Sequence, residues 1–190
     1  MAYSKGKDAI TKLSIKISYV LRHHPESIGL TLDRFGYAYV NELIDSFNRN
    51  GVAIDFERLK HIVDTDNKQR YSFNGDYTKI RANQGHSIPV DLQLVEKVPP
   101  DILYHGTATR FLNSILTDGI TKQSRQYVHL SSSFETAVKV GKRHGKVVVL
   151  TIDTNRAYQD GIKFYLSENG VWLCEYVSYK YIKEVINPNV

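Results

Sequence analysis

Two adjacent prolines, in Val98-Pro99-Pro100-Asp101, limit what this chain can become more than any other feature. Proline has no amide hydrogen and a fixed φ, so the pair continues neither a helix nor a central strand. The chain is expected to divide there, into residues 1–97 and 98–190. A length of 190 residues suits one large domain or two small lobes, and the prolines favour two. No internal repeat or low-complexity stretch argues otherwise.

Ahead of the prolines the pattern is helical. Ile10, Leu13, Ile17, Val20 and Leu21 share one helical face within residues 4–24. Leu13, Ile15, Ile17 and Tyr19 also alternate as a strand would, but the helical period runs on to Leu21 and Pro25 supplies a stop. A second helix is expected from Asn41, as its N-cap, to Arg49, with Gly51 just beyond. A third follows Asp55 and turns Phe56, Leu59, Ile62 and Val63 inward. Arg70-Tyr71-Ser72-Phe73 and Tyr77-Thr78-Lys79-Ile80 flank Asn74-Gly75, a short hairpin signal. Helices followed by a hairpin describe a winged-helix module, a fold that serves nucleic acids or protein partners.

Beyond the prolines the pattern is mixed. A strand Ile102-Leu103-Tyr104 is expected to lead into His105-Gly106-Thr107. A helix over about 109–117 should bury Phe111, Leu112, Ile115 and Leu116 and stop at Gly119. Strand 127–130 ends in Ser131-Ser132-Ser133, helix 134–144 follows, and Val147-Val148-Val149-Leu150 reads as a buried strand. Segments 162–166 and 171–177 flank a second hairpin at Asn169-Gly170, and 181–186 closes the sheet. The whole is an α+β chain of two lobes. It has no G-x-G-x-x-G and no G-x-x-x-x-G-K-[ST], so neither common phosphate cradle is supported.

Composition narrows the chemistry. The formal charge is +5 with a pI near 9.1. Lys+Arg against Asp+Glu is 14 to 12 before Pro99 and 11 to 8 from it onward, a balance that permits an anionic partner without demanding one. The single cysteine, Cys174, rules out an internal disulfide, and in Val171-Trp172-Leu173-Cys174 it suits a small buried hydrophobe. There is no cysteine cluster for structural zinc. No signal-peptide core and no membrane-length apolar run occur, so a soluble cytoplasmic protein is expected. Oligomeric state leaves no mark on the sequence.

The polar motifs each have a bland explanation. Arg22-His23-His24-Pro25 ends a helix, where the dipole favours cations anyway. Lys79-Ile80-Arg81-Ala82-Asn83-Gln84-Gly85-His86-Ser87 is a polar segment around a glycine. His105-Gly106-Thr107 and His129-Leu130-Ser131 sit at strand ends, where histidines are often core groups. Two such motifs together better suit hydrogen bonding to ribose hydroxyls and phosphates. Arginine and histidine recur while paired carboxylates do not; Glu-x-Glu is absent. Arginine grips planar anions with two parallel hydrogen bonds, so this set points to phosphate handling.

Leu21-Arg22-His23-His24-Pro25, Arg70-Tyr71, Arg81-Ala82-Asn83-Gln84-Gly85-His86-Ser87, Tyr104-His105-Gly106-Thr107 and Ser124-Arg125, then Val128-His129-Leu130-Ser131, occur in this order. Together they resemble the motif series of the RNA 2′-phosphotransferases, over roughly residues 10–185. The resemblance implies an N-terminal winged-helix RNA lobe and a C-terminal, ADP-ribosyltransferase-like lobe for NAD. It implies a catalytic set of Arg22, His23, Arg70 and Arg125, and it alone selects His23 over His24. It assigns His105, Gly106, Thr107, His129 and Ser131 to the ADP-ribose part of NAD. Arg81, Gln84, His86 and Ser87 are expected at the lobe junction, within reach of either substrate. The missing Glu-x-Glu separates the chain from arginine-modifying ADP-ribosyltransferases.

The implied reaction has two steps. An internal RNA 2′-phosphate displaces nicotinamide from NAD, and the neighbouring ribose hydroxyl then attacks phosphorus. The products are RNA with a free 2′-hydroxyl, of the kind tRNA splicing requires, and ADP-ribose 1″,2″-cyclic phosphate. NAD is a consumed co-substrate, and no metal is called for. Two alternatives stay open: ADP-ribosyl transfer to a terminal nucleic-acid phosphate or to protein, and a non-catalytic winged-helix regulator.

Overall fold

The computed structural model describes residues 2–188. It divides into two compact units, residues 1–93 and 94–190. The boundary falls ahead of the prolines because Glu96 bridges to Tyr165 and the Lys97 amide donates to the Phe164 carbonyl at 2.8 Å. Backbone pairing has thus recruited this approach segment into the second unit.

The first unit opens with helix α1 (Ala2–Arg22). Leu13, Ile17, Val20 and Leu21 are buried on one face, while Ile15 and Tyr19 are 60 and 49 % exposed. That pattern rules out the alternating strand. Strand β1 (Tyr37–Tyr39) leads directly into α2 (Val40–Arg49), which is followed by α3 (Phe56–Asp64), β2 (Tyr71–Phe73) and β3 (Lys79–Ala82). Asp55 caps α3 by accepting from the Arg58 amide at 2.8 Å. Asn41 is not the cap of α2; it lies inside the first turn, with Tyr39 as the flanking residue. The antiparallel sheet has the order β1-β3-β2.

Pattern reading missed β1, a three-residue strand too short to show a period. The hairpin forms, but around a longer turn than Asn-Gly predicts. The Asn74 amide donates to the Lys79 carbonyl at 3.0 Å, and Tyr77, not Gly75, takes the positive φ of 61°. The three helices and the sheet enclose one apolar cluster that includes Ile17, Leu21, Leu43, Phe47, Leu59, Ile62, Tyr71 and Ile80.

The second unit is built on β4 (Ile102–Ala108), β7 (Val147–Asp153) and β11 (Ile182–Ile186), in the antiparallel order β11-β7-β4. β6 (Val128–Leu130), β9 (Trp172–Cys174) and β8 (Tyr165–Leu166) form a second sheet, in the order β6-β9-β8. β5 (Ile120–Thr121) pairs with β10 (Tyr176–Val177). The helices are α4 (Leu112–Asp118), α5 (Phe134–Gly141) and α6 (Thr154–Gln159). Strand β4 extends through His105, Gly106 and Thr107, so these residues lie within a strand and not after one. Phe111 and Leu116, expected inside, are 41 and 43 % exposed. Cys174 is fully buried, and burial pushes its thiol up to about 12, which leaves it unreactive.

No helix among the described residues is long and apolar enough to cross a membrane.

Candidate functional site

In the first unit the sequence motifs converge at the end of α1. Arg22 is its last residue, and its Nη2 donates to the Arg70 carbonyl at 3.3 Å. The Ser87 amide donates to the Arg22 carbonyl at 3.0 Å, and Ser87 Oγ shares a 2.9 Å hydrogen bond with His23 Nδ1. Arg22, His23, Arg70 and Ser87 therefore gather from three separate parts of the chain. His24 has other company: its Nδ1 pairs with the exposed Glu26 carboxylate at 2.8 Å.

Arg70 precedes β2 and is held at both ends. Its amide donates to Asp66 Oδ2 at 2.6 Å and its guanidinium is ion-paired with Asp66 Oδ1. The Asp66 side chain is only 5 % exposed. Asn83 fixes the same stretch from the other side. Its amide donates to the Arg70 carbonyl at 2.9 Å and its side chain donates to the Gln69 carbonyl at 2.7 Å. Motif reading passed over Asp66. Its one signal is the Asp-x-x-x-Arg spacing, which becomes meaningful only when the turn between them is formed.

The other motif residues divide by depth. Gln84 is half-buried and Ser87 is exposed. Arg81 is 8 % exposed and its guanidinium lies over the Tyr37 ring, 4.7 Å from the centroid. His86 is 1 % exposed. Burial pushes its imidazole down to about 3, and the positive charges of Arg22, His23 and Arg81 add to the effect. His86 therefore sits beneath the cationic group and not at its surface, unlike the substrate-facing position expected of it.

In the second unit, Tyr104 and Ser131 exchange two backbone hydrogen bonds of 2.8 Å, which places β4 beside the end of β6. This brings His105 next to His129, with His105 Nδ1 3.1 Å from the His129 carbonyl. Burial holds the His105 pKa below its ordinary value, and the nearby His144 and Arg125 act in the same direction. A carbonyl can only accept, so Nδ1 carries a proton, and in the neutral ring Nε2 is an acceptor. Gly106 and Thr107 face inward. A Cβ on Gly106 would collide with the backbone of α5, so this glycine lets helix and strand approach closely.

Arg125 lies at the surface in the turn before β6, its amide bonded to the Lys122 carbonyl at 3.1 Å. Partial desolvation, with repulsion from Arg143, lowers its pKa, yet an arginine remains charged. Arg143 and His144, in the short turn after α5, are polar groups that motif reading overlooked. They become neighbours of Arg125 and His105 only through the packing of α5 on β4. Both units therefore offer arginines near an imidazole whose pKa is held down, an arrangement suited to phosphate-bearing ligands. Among the described residues, no group of three or more His, Cys, Asp or Glu is placed to hold a metal.

Residues 8–176 match the family model described as "RNA 2'-phosphotransferase, Tpt1 / KptA family". A protein of Fusobacterium nucleatum named "Probable RNA 2'-phosphotransferase" is 55% identical over 177 residues, covering 93% of this chain and 99% of that protein. Proteins with the same printed name from Flavobacterium johnsoniae and Pseudomonas syringae pv. tomato are 53% and 47% identical, covering 88% and 95% of this chain and 92% and 96% of theirs. With a match across nearly its whole length, on relatives whose own length it spans, the chain belongs to the Tpt1/KptA family of RNA 2′-phosphotransferases.

Proposed function

We propose that the protein removes an internal 2′-phosphate from RNA by transferring it to NAD. The observation that carries this reading is the gathering of Arg22, His23 and Arg70 at the end of α1, with Asp66 and Ser87 holding Arg70 and His23. Here the first unit is an RNA-binding lobe of winged-helix type, supported by its helices and terminal hairpin. The second is an ADP-ribosyltransferase-like lobe for NAD, supported by the His105 acceptor nitrogen and the guanidinium groups of Arg125 and Arg143.

NAD supplies an electrophilic ribose carbon: the RNA 2′-phosphate bonds to C1″ as nicotinamide leaves, and the 2″-hydroxyl then bonds to phosphorus as the bond to the RNA 2′-oxygen breaks. Arg22, Arg70 and Arg125 neutralise the phosphate and the charge that builds up in the second step. They supply fixed positive charge without a metal. His23 handles the protons of that step, taking one from the attacking hydroxyl or giving one to the departing RNA oxygen. His105 Nε2 accepts from a ribose hydroxyl or a carboxamide N–H of NAD, and His129 and Ser131 line the same edge. Arg81 and Gln84 serve either substrate.

The test is incubation of the protein with a 2′-phosphorylated oligonucleotide, NAD and EDTA. One nicotinamide should appear per phosphate lost, with ADP-ribose cyclic phosphate as the other product. Loss of phosphate without NAD, as inorganic phosphate, would overturn the reading. A stable ADP-ribosylated RNA or protein as final product would replace it with the simpler transfer.

A further inference from the structure

The segment Gly85-His86-Ser87 grips the end of α1 at successive residues. The Ser87 amide occupies the Arg22 carbonyl at 3.0 Å, one of the acceptors a helix end leaves without an intrahelical donor. Ser87 Oγ meets His23 Nδ1 at 2.9 Å. Gly85, with φ of +88°, lies against the Arg22 guanidinium, and a Cβ there would stand 3.6 Å from Nε and 3.7 Å from Cζ. Between them His86 is driven into the interior at 1 % exposure. Neither of its ring nitrogens has a hydrogen-bond partner. Its Nε2 lies 3.5 Å from where a Cβ on Gly36 would be, beside Val90.

We propose that Gly85-His86-Ser87 is a positioning strap for the reaction, in which Ser87 holds the His23 ring by its Nδ1 edge so that Nε2 is the nitrogen that exchanges protons, while the buried His86 ring anchors the strap beneath. This rests on the reading of His23 as the proton-transfer group.

The chemistry of each residue suits that role. A hydroxyl accepts from Nδ1–H and donates to a bare Nδ1, so Ser87 holds the ring in either protonation state. A carboxylate in its place would orient the ring as well, but it would raise the histidine's pKa and put negative charge where a phosphate is to bind. His86 stays uncharged through the working pH range because it is buried, with Arg22 at the end of α1, His23 just after it and Arg81 on β3 all opposing a further cation. Gly36 and Val90, which close the other side, bring no charge. The anchor thus adds nothing to the repulsion within the cationic group. Gly85 lets the strap pass close under Arg22 in a backbone conformation that other residues resist.

The test compares Ser87→Ala and Ser87→Thr with His23→Ala in the full chain. Ring nitrogen shifts of His23 are followed by 15N NMR through a pH titration. Single-turnover rates are measured with a 2′-phosphorylated oligonucleotide and NAD. Ser87→Ala should change the His23 tautomer balance, displace the pH–rate profile and slow the second step about tenfold, the loss of one hydrogen bond. The apparent KM for NAD should hold, and Ser87→Thr should restore both readouts. Ser87→Cys, which keeps the volume and weakens the hydrogen bond, serves if the alanine variant does not fold. Ring shifts, pH profile and rate all unchanged in Ser87→Ala would overturn the proposal, as would shifted nitrogens with an unaltered rate. An active His23→Ala would instead remove the catalytic reading on which the proposal stands.

Discussion

A Cβ placed on Gly106 would sit 1.7 Å from the Ala137 carbonyl oxygen. Strand β4 and helix α5 thus approach until only a hydrogen atom fits between them, and the obstacle is backbone, which cannot rotate away. Gly106→Ala should destabilise the second unit by about 3 kcal/mol, read as a lower thermal midpoint. Gly75→Ala, with open space around it and no positive φ, should stay within about 0.5 kcal/mol of the parent. Equal midpoints for the two would show that β4 and α5 can move apart at little cost.

Arg70 is a fork held at a fixed angle by Asp66. Arg70→Lys keeps the charge and loses both the fork and the geometry of the Asp66 pair. Activity should fall about 100-fold in single-turnover assays, by analogy with removing a donor to developing charge. Asp66→Asn should weaken activity less, since the arginine survives with a looser hold. A lysine variant close to parental rate would remove Arg70 from the catalytic set.

The adjacent histidines should separate cleanly. His23→Ala should slow the second step more than the first, because an ionised phosphate needs little proton transfer to attack whereas a hydroxyl must lose a proton. ADP-ribosylated RNA should then accumulate on a gel time course. His24→Ala, which loses an exposed pair with Glu26 and a ring contact with Tyr19, should stay within about threefold of the parent. Uniform slowing without an intermediate in the first variant would count against the proton-transfer role.

His86 couples the first unit to acid. Its folded pKa lies near 3, against about 6.5 when exposed, so the unfolded chain takes up the proton first. Stability should be unaffected by this group above pH 6.5 and fall as the pH drops from there toward 3. The loss at pH 5 is about 2 kcal/mol. Urea unfolding of His86→Leu and His86→Gln should show a flatter decline than the parent between pH 6.5 and 5. Parallel declines would mean that the ring gains its proton without unfolding.

His105 is expected to act through an acceptor nitrogen. His105→Ala should raise the apparent KM for NAD more than that for the oligonucleotide, since the residue lies in the second unit. Isothermal titration with NAD alone provides a check free of turnover. Equal losses for both substrates would point to a folding defect instead.

Much of the local structure was legible because its causes are local. Leu13, Ile17, Val20 and Leu21 share a face at any position of α1 in space, and Asp55 caps α3 through a carboxylate and an amide three residues apart. Where reading failed, a distant segment had intervened. β1 exists because Tyr37, Ala38 and Tyr39 find β3, and a run of three residues has no period to detect. β4 continues through His105-Gly106-Thr107 because β7 offers a partner as far as Val147. Phe111 and Leu116 obey the helical pattern but lie where nothing covers them fully.

The candidate site divides on the same line. The sequence by itself determined which side chains were available: arginines for phosphate, histidines for protons or hydrogen bonds, one cysteine and no Glu-x-Glu. Those properties belong to each residue's own chemistry, and the order of the motifs carried the family. Only the tertiary structure decided what each one does with its neighbours. It turned His24 toward Glu26 and His23 toward Ser87, sank His86 beneath Arg22, clamped Arg70 on Asp66 and brought Arg143 to Arg125. Burial, tautomer and mutual repulsion depend on distances between residues up to 64 positions apart, as with His23 and Ser87, and such distances are set by packing and not by sequence order.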